Sequence, residues 1–258
     1  MNTEPAESPE MSRLDGRVVV LTGASSGIGA QFARALNAAG ASVALVARRK
    51  DRLEELAADF NDALVIECDV ADEKGRGEIV AKAVERFGRL DGLVNNAGIS
   101  NVTPALREGT DDFRRVLEVN LVAPFALAAD AAAVMRENGG GSIVNISSIC
   151  AVRSLAGTPQ ASYTSSKAGL DGLTRELATQ WARYGIRVNS IGPGTFNTEM
   201  SGDGYTTGPY AEVIRSRTPV GRPGNEGELD STMLMLLHPG SSYLTGQNII
   251  VDGGYTVA

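Results

Sequence analysis

Residues 17–29 read RVVVLTGASSGIG, and this stretch decides the fold. Val18, Val19, Val20 and Leu21 are apolar without alternation, the pattern of a strand covered on both faces of a sheet. The run stops at Thr22-Gly23. Past the glycines at 23, 27 and 29, a helix is expected from about Gly29 to Ala39, with Ile28, Phe32, Leu36 and Ala39 on one face. Strand, glycine-rich turn and helix in immediate succession make the opening unit of a parallel α/β sheet.

The rest of the chain repeats this unit. With Arg17–Thr22 as the first strand, further apolar runs occur at Ala41–Ala47, Ala63–Cys68, Gly92–Asn95, Ser142–Ile146, Ile186–Ile191 and Asn248–Val251. Helical patterns lie between them. One from about Tyr163 to Tyr184 carries Leu170, Leu173, Leu177 and Trp181 at helical spacing. Seven strands alternating with about six helices predict a doubly wound, parallel seven-stranded sheet of the Rossmann type, with helices on both faces. Residues 14–258 are expected to form a single domain. Residues 1–13, with Pro5, Pro9 and acidic and hydroxyl side chains, are expected to be a disordered tail.

Composition removes several classes of function. The formal net charge of −7 argues against a nucleic-acid polymer as partner, because such binding draws on clustered Lys and Arg. No stretch reads as both long and apolar enough to span a bilayer, and no secretory signal opens the chain, so no membrane partner is expected. Cys68 and Cys150 lie far apart with no CxxC pair, which points to a reducing, cytoplasmic setting. The single histidine, His238, precedes Pro239 and is read as structural. A catalytic His–Asp pair or a Cys/His zinc site has no material here, and no metal is expected.

Ligands of such sheets bind beyond the carboxyl ends of the strands. There the chain collects Thr22-Gly23, Ala47-Arg48, Cys68-Asp69, Asn95-Asn96-Ala97-Gly98, Ser147-Ser148 and Gly192-Pro193-Gly194. The loop after the first strand has the spacing GxxxGxG. Its glycines let the backbone turn tightly and approach a diphosphate, whose charge the N–H groups of the next helix would bind. At the end of the second strand a carboxylate would hold a ribose 2′-hydroxyl. Here Ala47 is followed by Arg48-Arg49-Lys50, and Arg48 would form charge-assisted bonds to a 2′-phosphate. These residues favour NADP(H) over NAD(H).

Taken in order, TGASSGIG at 22–29, CDV at 68–70, NNAG at 95–98, EVN at 118–120, NISS at 145–148, YTSSK at 163–167, PG at 193–194 and TGQNIIVDGG at 245–254 resemble the short-chain dehydrogenase/reductase family. The resemblance covers roughly residues 14–258. It implies hydride transfer between the nicotinamide cofactor and a carbonyl or secondary alcohol, with Asn120, Ser148, Tyr163 and Lys167 as catalytic residues. Tyr163 and Lys167 stand four apart, on one helix face. A phenol ordinarily titrates near ~10, and an adjacent ammonium favours its ionised form, which suits Tyr163 to acid/base work. By the resemblance, Lys167 also holds the nicotinamide ribose. Ser148 would hydrogen-bond the substrate oxygen as charge develops. The fourteen residues from Ile149 through Ser162 between Ser148 and Tyr163 are more than the family commonly has, and Ser147 and Cys150 stand as alternatives. Asn120 would hold a water linking Lys167 to solvent, or cap a kink in its helix.

For the cofactor, the resemblance implies Gly23, Ser25, Ser26, Gly27, Ile28 and Gly29 at the diphosphate. Asp69 would meet the adenine amino group with Val70 beside it, and Asn96, Ala97 and Gly98 would line the adenosine. Asn95 is read either on the adenosine ribose or as a tie between strands. Pro193, Gly194, Phe196 and Thr198 would surround the nicotinamide carboxamide. The weakly periodic stretch 197–217, with Met200, Tyr205, Tyr210, Arg215 and Arg217, would be a mobile lid over a small substrate such as a sugar acid or a 3-oxoacyl thioester. The resemblance also implies a homotetramer. A non-catalytic dinucleotide-binding sensor is the alternative function, and the complete Asn120, Ser148, Tyr163 and Lys167 set speaks against it.

Overall fold

The computed structural model describes residues 12–155, 157–198 and 209–258. Strands β1 (Val18–Thr22), β2 (Ser42–Ala47), β3 (Ala63–Glu67), β4 (Gly92–Asn95), β5 (Gly141–Ile146), β6 (Ile186–Pro193) and β7 (Asn248–Val251) form one sheet in the order β3-β2-β1-β4-β5-β6-β7. Every neighbouring pair is parallel. The expected doubly wound seven-stranded sheet is present, each strand within two residues of its expected ends. β1 lies inside the sheet, which explains its unbroken apolar run. Val18 and Val20 enter one core and Val19 and Leu21 the other, as the two-residue strand period requires.

The helices divide between those cores. On one face lie α1 (Gly27–Ala38), α2 (Lys50–Ala57) and α9 (Asp230–Leu237), packing Phe32, Leu36, Leu53, Met233 and Leu236. On the other lie α4 (Ile79–Phe87), α6 (Ala123–Glu137) and α7 (Ala161–Trp181), packing Ile79, Leu127, Met135 and Leu177. A four-residue turn, α3 (Glu73–Arg76), precedes α4. The leucine stripe of α7 faces inward: Leu170 and Leu177 are buried, and Leu173 and Trp181 pack against the cluster that holds Leu177.

Three expectations are corrected. First, α5 (Thr110–Leu117) runs into α6 through a π-helical turn, Glu118–Val122, giving one helical stretch, residues 110–137. By length and composition alone it could cross a bilayer, contrary to the sequence reading. Half of its most apolar window is buried in the protein, because α6 is an alanine-rich core helix. Second, more helices are found among the described residues than the six expected, because short segments such as α3 are too brief to show a period. Third, the stretch read as weakly periodic ends in a helix, α8 (Pro209–Arg217), which buries Ala211 and Ile214. Of the remaining lid positions, Met200 and Tyr205 fall outside the described residues, as does the tail apart from Ser12 and Arg13.

Candidate active site

Strand order reverses between β1 and β4, and the two strand ends are locked together there. Thr22 Oγ1 accepts the backbone amides of Asn96 and Ala97, both at 3.0 Å. Asn96 Nδ2 donates to the carbonyls of Thr22 at 2.9 Å and Gly23 at 3.2 Å. The following loop folds back so tightly that a Cβ at Gly29 would stand 2.1 Å from the Gly23 carbonyl oxygen, while Gly23 itself holds φ +69°. The loop delivers the N-terminus of α1 to the cleft. Ser26 precedes that helix with no side-chain cap bond, and no acidic residue stands in the first turn. The leading N–H groups are therefore left to an anion.

Beside the loop, Arg49 reaches back over it. Its Nη2 donates to Ser26 Oγ at 2.6 Å and to Ser25 Oγ at 3.1 Å. Arg48, the residue singled out in the sequence, lines the same cleft but is exposed. Asp69, after β3, accepts the Ala71 amide at 3.0 Å and pairs with Arg115 at 2.8 Å. Burial alone would raise its carboxyl; the Ala71 amide and Arg115 outweigh that and hold it below the usual range. Arg115, on α5, has no counterpart in the sequence reading, because nothing in a charged surface turn says which arginine faces a cleft.

α7 supplies Tyr163 and Lys167. Lys167 is almost fully buried; its Nζ donates to the Ile146 carbonyl at 2.7 Å and lies 5.6 Å from the centre of the Tyr163 ring. Burial pulls its ammonium down to about 8, with the Asp171 carboxylate opposing. Asp171 sits one turn further along and is held by Ser190 at 3.0 Å and Asn248 at 2.6 Å. The two serines after β5 separate cleanly. Ser147 Oγ turns to the Lys167 carbonyl at 3.4 Å. Ser148 Oγ accepts the Cys150 amide at 3.1 Å, its hydroxyl also bonds the Cys150 side chain, and it lines the cleft.

Asn120 is fully buried in the π-helical turn. Its Oδ1 accepts the Ile99 amide at 2.9 Å; its Nδ2 donates to the Ile99 carbonyl at 2.9 Å and to Ser166 Oγ at 3.0 Å. Both amide hydrogens are thus spent within the protein, so a side-chain-held water would have only the second lone pair of Oδ1. Asn120 ties the π-helical turn to Ile99 and to Ser166 on α7. Ser166 in turn donates to the Tyr163 carbonyl at 2.7 Å, so Asn120 braces the turn that presents Tyr163. Asn95 is a strand tie: its Nδ2 donates to Asn145 Oδ1 at 2.9 Å, and it does not line the cleft.

All the expected cofactor-binding residues, with Ser148, Tyr163 and Lys167, line one cleft of about 370 Å³ beyond the carboxyl ends of the strands. Three of them differ in detail from expectation. Asn96 lines the cleft with its donors already spent on the glycine loop. Phe196 lines it from a buried position in the α1–α2–α9 core. Asp69 meets Arg115 before any base. Thr198 faces the glycine loop, where a Cβ on Gly27 would lie 3.3 Å from its own Cβ. Uncapped N–H groups, a glycine-only close approach and adjacent arginines together fit a dinucleotide phosphate. Among the described residues no three His, Cys, Asp or Glu side chains gather as metal ligands would. His238 accepts the Gly240 amide on Nδ1 at 3.0 Å, as a turn former.

Known proteins agree with this geometry. Residues 23–256 match a family described as enoyl-(acyl carrier protein) reductase. The chain is 38% identical over 253 residues to an L-rhamnose 1-dehydrogenase (NAD(P)(+)) of Sphingomonas sp. strain SKA58, covering 96% of this chain and 99% of that protein. It superposes on a gluconate 5-dehydrogenase of Burkholderia cenocepacia J2315, solved with NADP and tartrate, at a TM-score of 0.90 with 34% identity, covering 96% and 98% of the two chains. A short-chain type dehydrogenase/reductase of Mycobacterium marinum gives a TM-score of 0.89 with 34% identity, covering 96% and 99%. The chain belongs to the short-chain dehydrogenase/reductase family and is an oxidoreductase acting on alcohol or carbonyl groups.

Proposed function

We propose that this protein is an NADP(H)-dependent enzyme that interconverts a polar ketone and its secondary alcohol, with Tyr163 as the acid/base. The observation that carries this reading is the buried Lys167 one helical turn from Tyr163, its Nζ 5.6 Å from the ring centre, in the same cleft as the uncapped N-terminus of α1. When bound, the nicotinamide cofactor supplies or accepts the hydride. Tyr163 gives a proton to the carbonyl oxygen during reduction and takes one from the hydroxyl during oxidation, and the Lys167 ammonium stabilises the phenolate. Ser148, on the wall of the same cleft, donates to the same oxygen as charge builds on it. Asn120 holds the Tyr163 turn in place through Ser166.

The preference for NADP(H) is supported by the absence of a carboxylate after β2 and by Arg48 and Arg49. The sugar-related names of the rhamnose and gluconate relatives support a polar, sugar-derived substrate. Buried Cys68 and Cys150, both unpaired, support a reducing cytoplasmic setting. A homotetramer is supported by exposed apolar side chains on the 110–137 helix, Val122 and Phe125. The test of the chemistry is Tyr163→Phe. This variant should bind NADPH as the wild type does, read by nicotinamide fluorescence, and lose turnover by about two to four orders of magnitude. A variant that keeps most of its turnover removes Tyr163 from the acid/base role.

A further inference from the structure

We infer that Gln160 reads the substrate, its side-chain amide hydrogen-bonding an uncharged oxygen on the carbon next to the one that reacts. This rests on the function proposed above and names the substrate class: neutral vicinal diols and α-hydroxyketones. Gln160 directly precedes α7, three residues before Tyr163, and lines the cleft. Its backbone is fixed on both sides. It forms an isolated β-bridge with Thr103, and its carbonyl accepts the Thr164 amide at 3.0 Å. The side chain is fixed less fully. Nε2 donates to Cys150 Sγ at 3.1 Å, and a thiol is a weak acceptor. The second amide hydrogen and Oε1 carry no other bond among the described residues. A half-buried amide with donor and acceptor both unspent, on a ligand cleft, fits a group that offers both, and a hydroxyl does.

Charge narrows the class further. The cations lining the cleft, among the described residues, are Arg48, Arg49, Arg115 and Lys167. Arg49 is bonded to the glycine loop, Arg115 is paired with Asp69, and Lys167 is held beside Tyr163. Gln160 bonds Cys150, and the cleft lining also includes the uncharged Leu155, Thr158, Ser100 and Val102. Burial pushes the Cys150 thiol up, so it stays neutral beside the amide. A substrate carboxylate would meet no cation there, whereas a hydroxyl meets the amide.

The test compares 2-hydroxycyclohexanone with cyclohexanone, each reduced with NADPH by the wild type and by Gln160→Leu. The wild type should prefer the hydroxyketone. In Q160L that preference should fall about tenfold through KM, with kcat for cyclohexanone and the fluorescence-derived NADPH affinity unchanged. Intact NADPH binding separates this from a folding defect. Equal losses on both ketones, or an unchanged preference, overturn the assignment of Gln160 while leaving the Tyr163 chemistry standing. A wild type that reduces neither ketone overturns the proposed function and this assignment together.

Discussion

Arg48 and Arg49 are neighbours in sequence, yet only Arg49 lies back across the glycine loop onto Ser25 and Ser26. A 2′-phosphate bound there would take charge-assisted bonds from a guanidinium already in position. Arg49→Ala should therefore weaken NADPH binding by about tenfold to a hundredfold while changing NADH binding far less, and Arg48→Ala should show the same selectivity more weakly. Fluorescence titration with both cofactors measures this; equal losses for the two cofactors would take Arg49 off the phosphate. The missing carboxylate after β2 was legible from residue types alone. Which arginine turns inward was not, because that depends on the backbone at the start of α2, where Arg49 holds φ −97° and ψ 88°. Asn95 and Asn96 make the same point: the dipeptide was visible, but strand register sends Asn95 to Asn145 and leaves Asn96 on the loop.

Among the elements, α9 carries a buried conflict at its start. Asp230 stands in its first turn with Oδ1 buried and unpartnered, and burial, reinforced by Glu226, pushes the carboxyl up to about 6. The folded protein then binds this proton more tightly than the unfolded chain, whose carboxyl keeps the ordinary value of 3.8. Stability from this group is full below about pH 4 and is lost as pH rises through about 6. Asp230→Asn should thus gain on the wild type between pH 4 and pH 7.5. The gain should be about 1 kcal/mol, because the part of the carboxyl that reaches solvent is screened there. Urea unfolding at the two pH values checks it, and a difference that does not change with pH would show an ordinary carboxyl. Strands and long helices were legible because their apolar periods run for several turns. α8 was not, since among the described side chains Ala211 and Ile214 face inward from a stretch otherwise rich in polar groups. The π-helical turn was not legible either, because a single displaced residue leaves the apolar pattern on each side intact.

For the whole molecule, the strand ends named the site before the topology was known. Reversal of strand order between β1 and β4 gathers those ends, and every expected cofactor residue comes with them. What one chain cannot display is its assembly. Val122 and Phe125 remain 42% and 49% exposed on the 110–137 helix, which is more apolar than solvent contact favours. A tetramer should sediment at about four times the 27.0 kDa of one chain, and Phe125→Glu should shift the particle toward smaller species. Wild-type protein found only at the mass of one chain at micromolar concentration would rule the tetramer out. The same helix also holds a phase slip. Each residue of a helix advances its face by about 100°, so the wide turn at Glu118–Val122 re-indexes α6 against α5. Removing one residue there would give a more regular helix that folds without complaint, while Asn120 swings off Ile99 and the brace under Tyr163 disappears. Loss of activity in this protein can therefore come from a shift of count in a well-formed helix, with no unfolding at all.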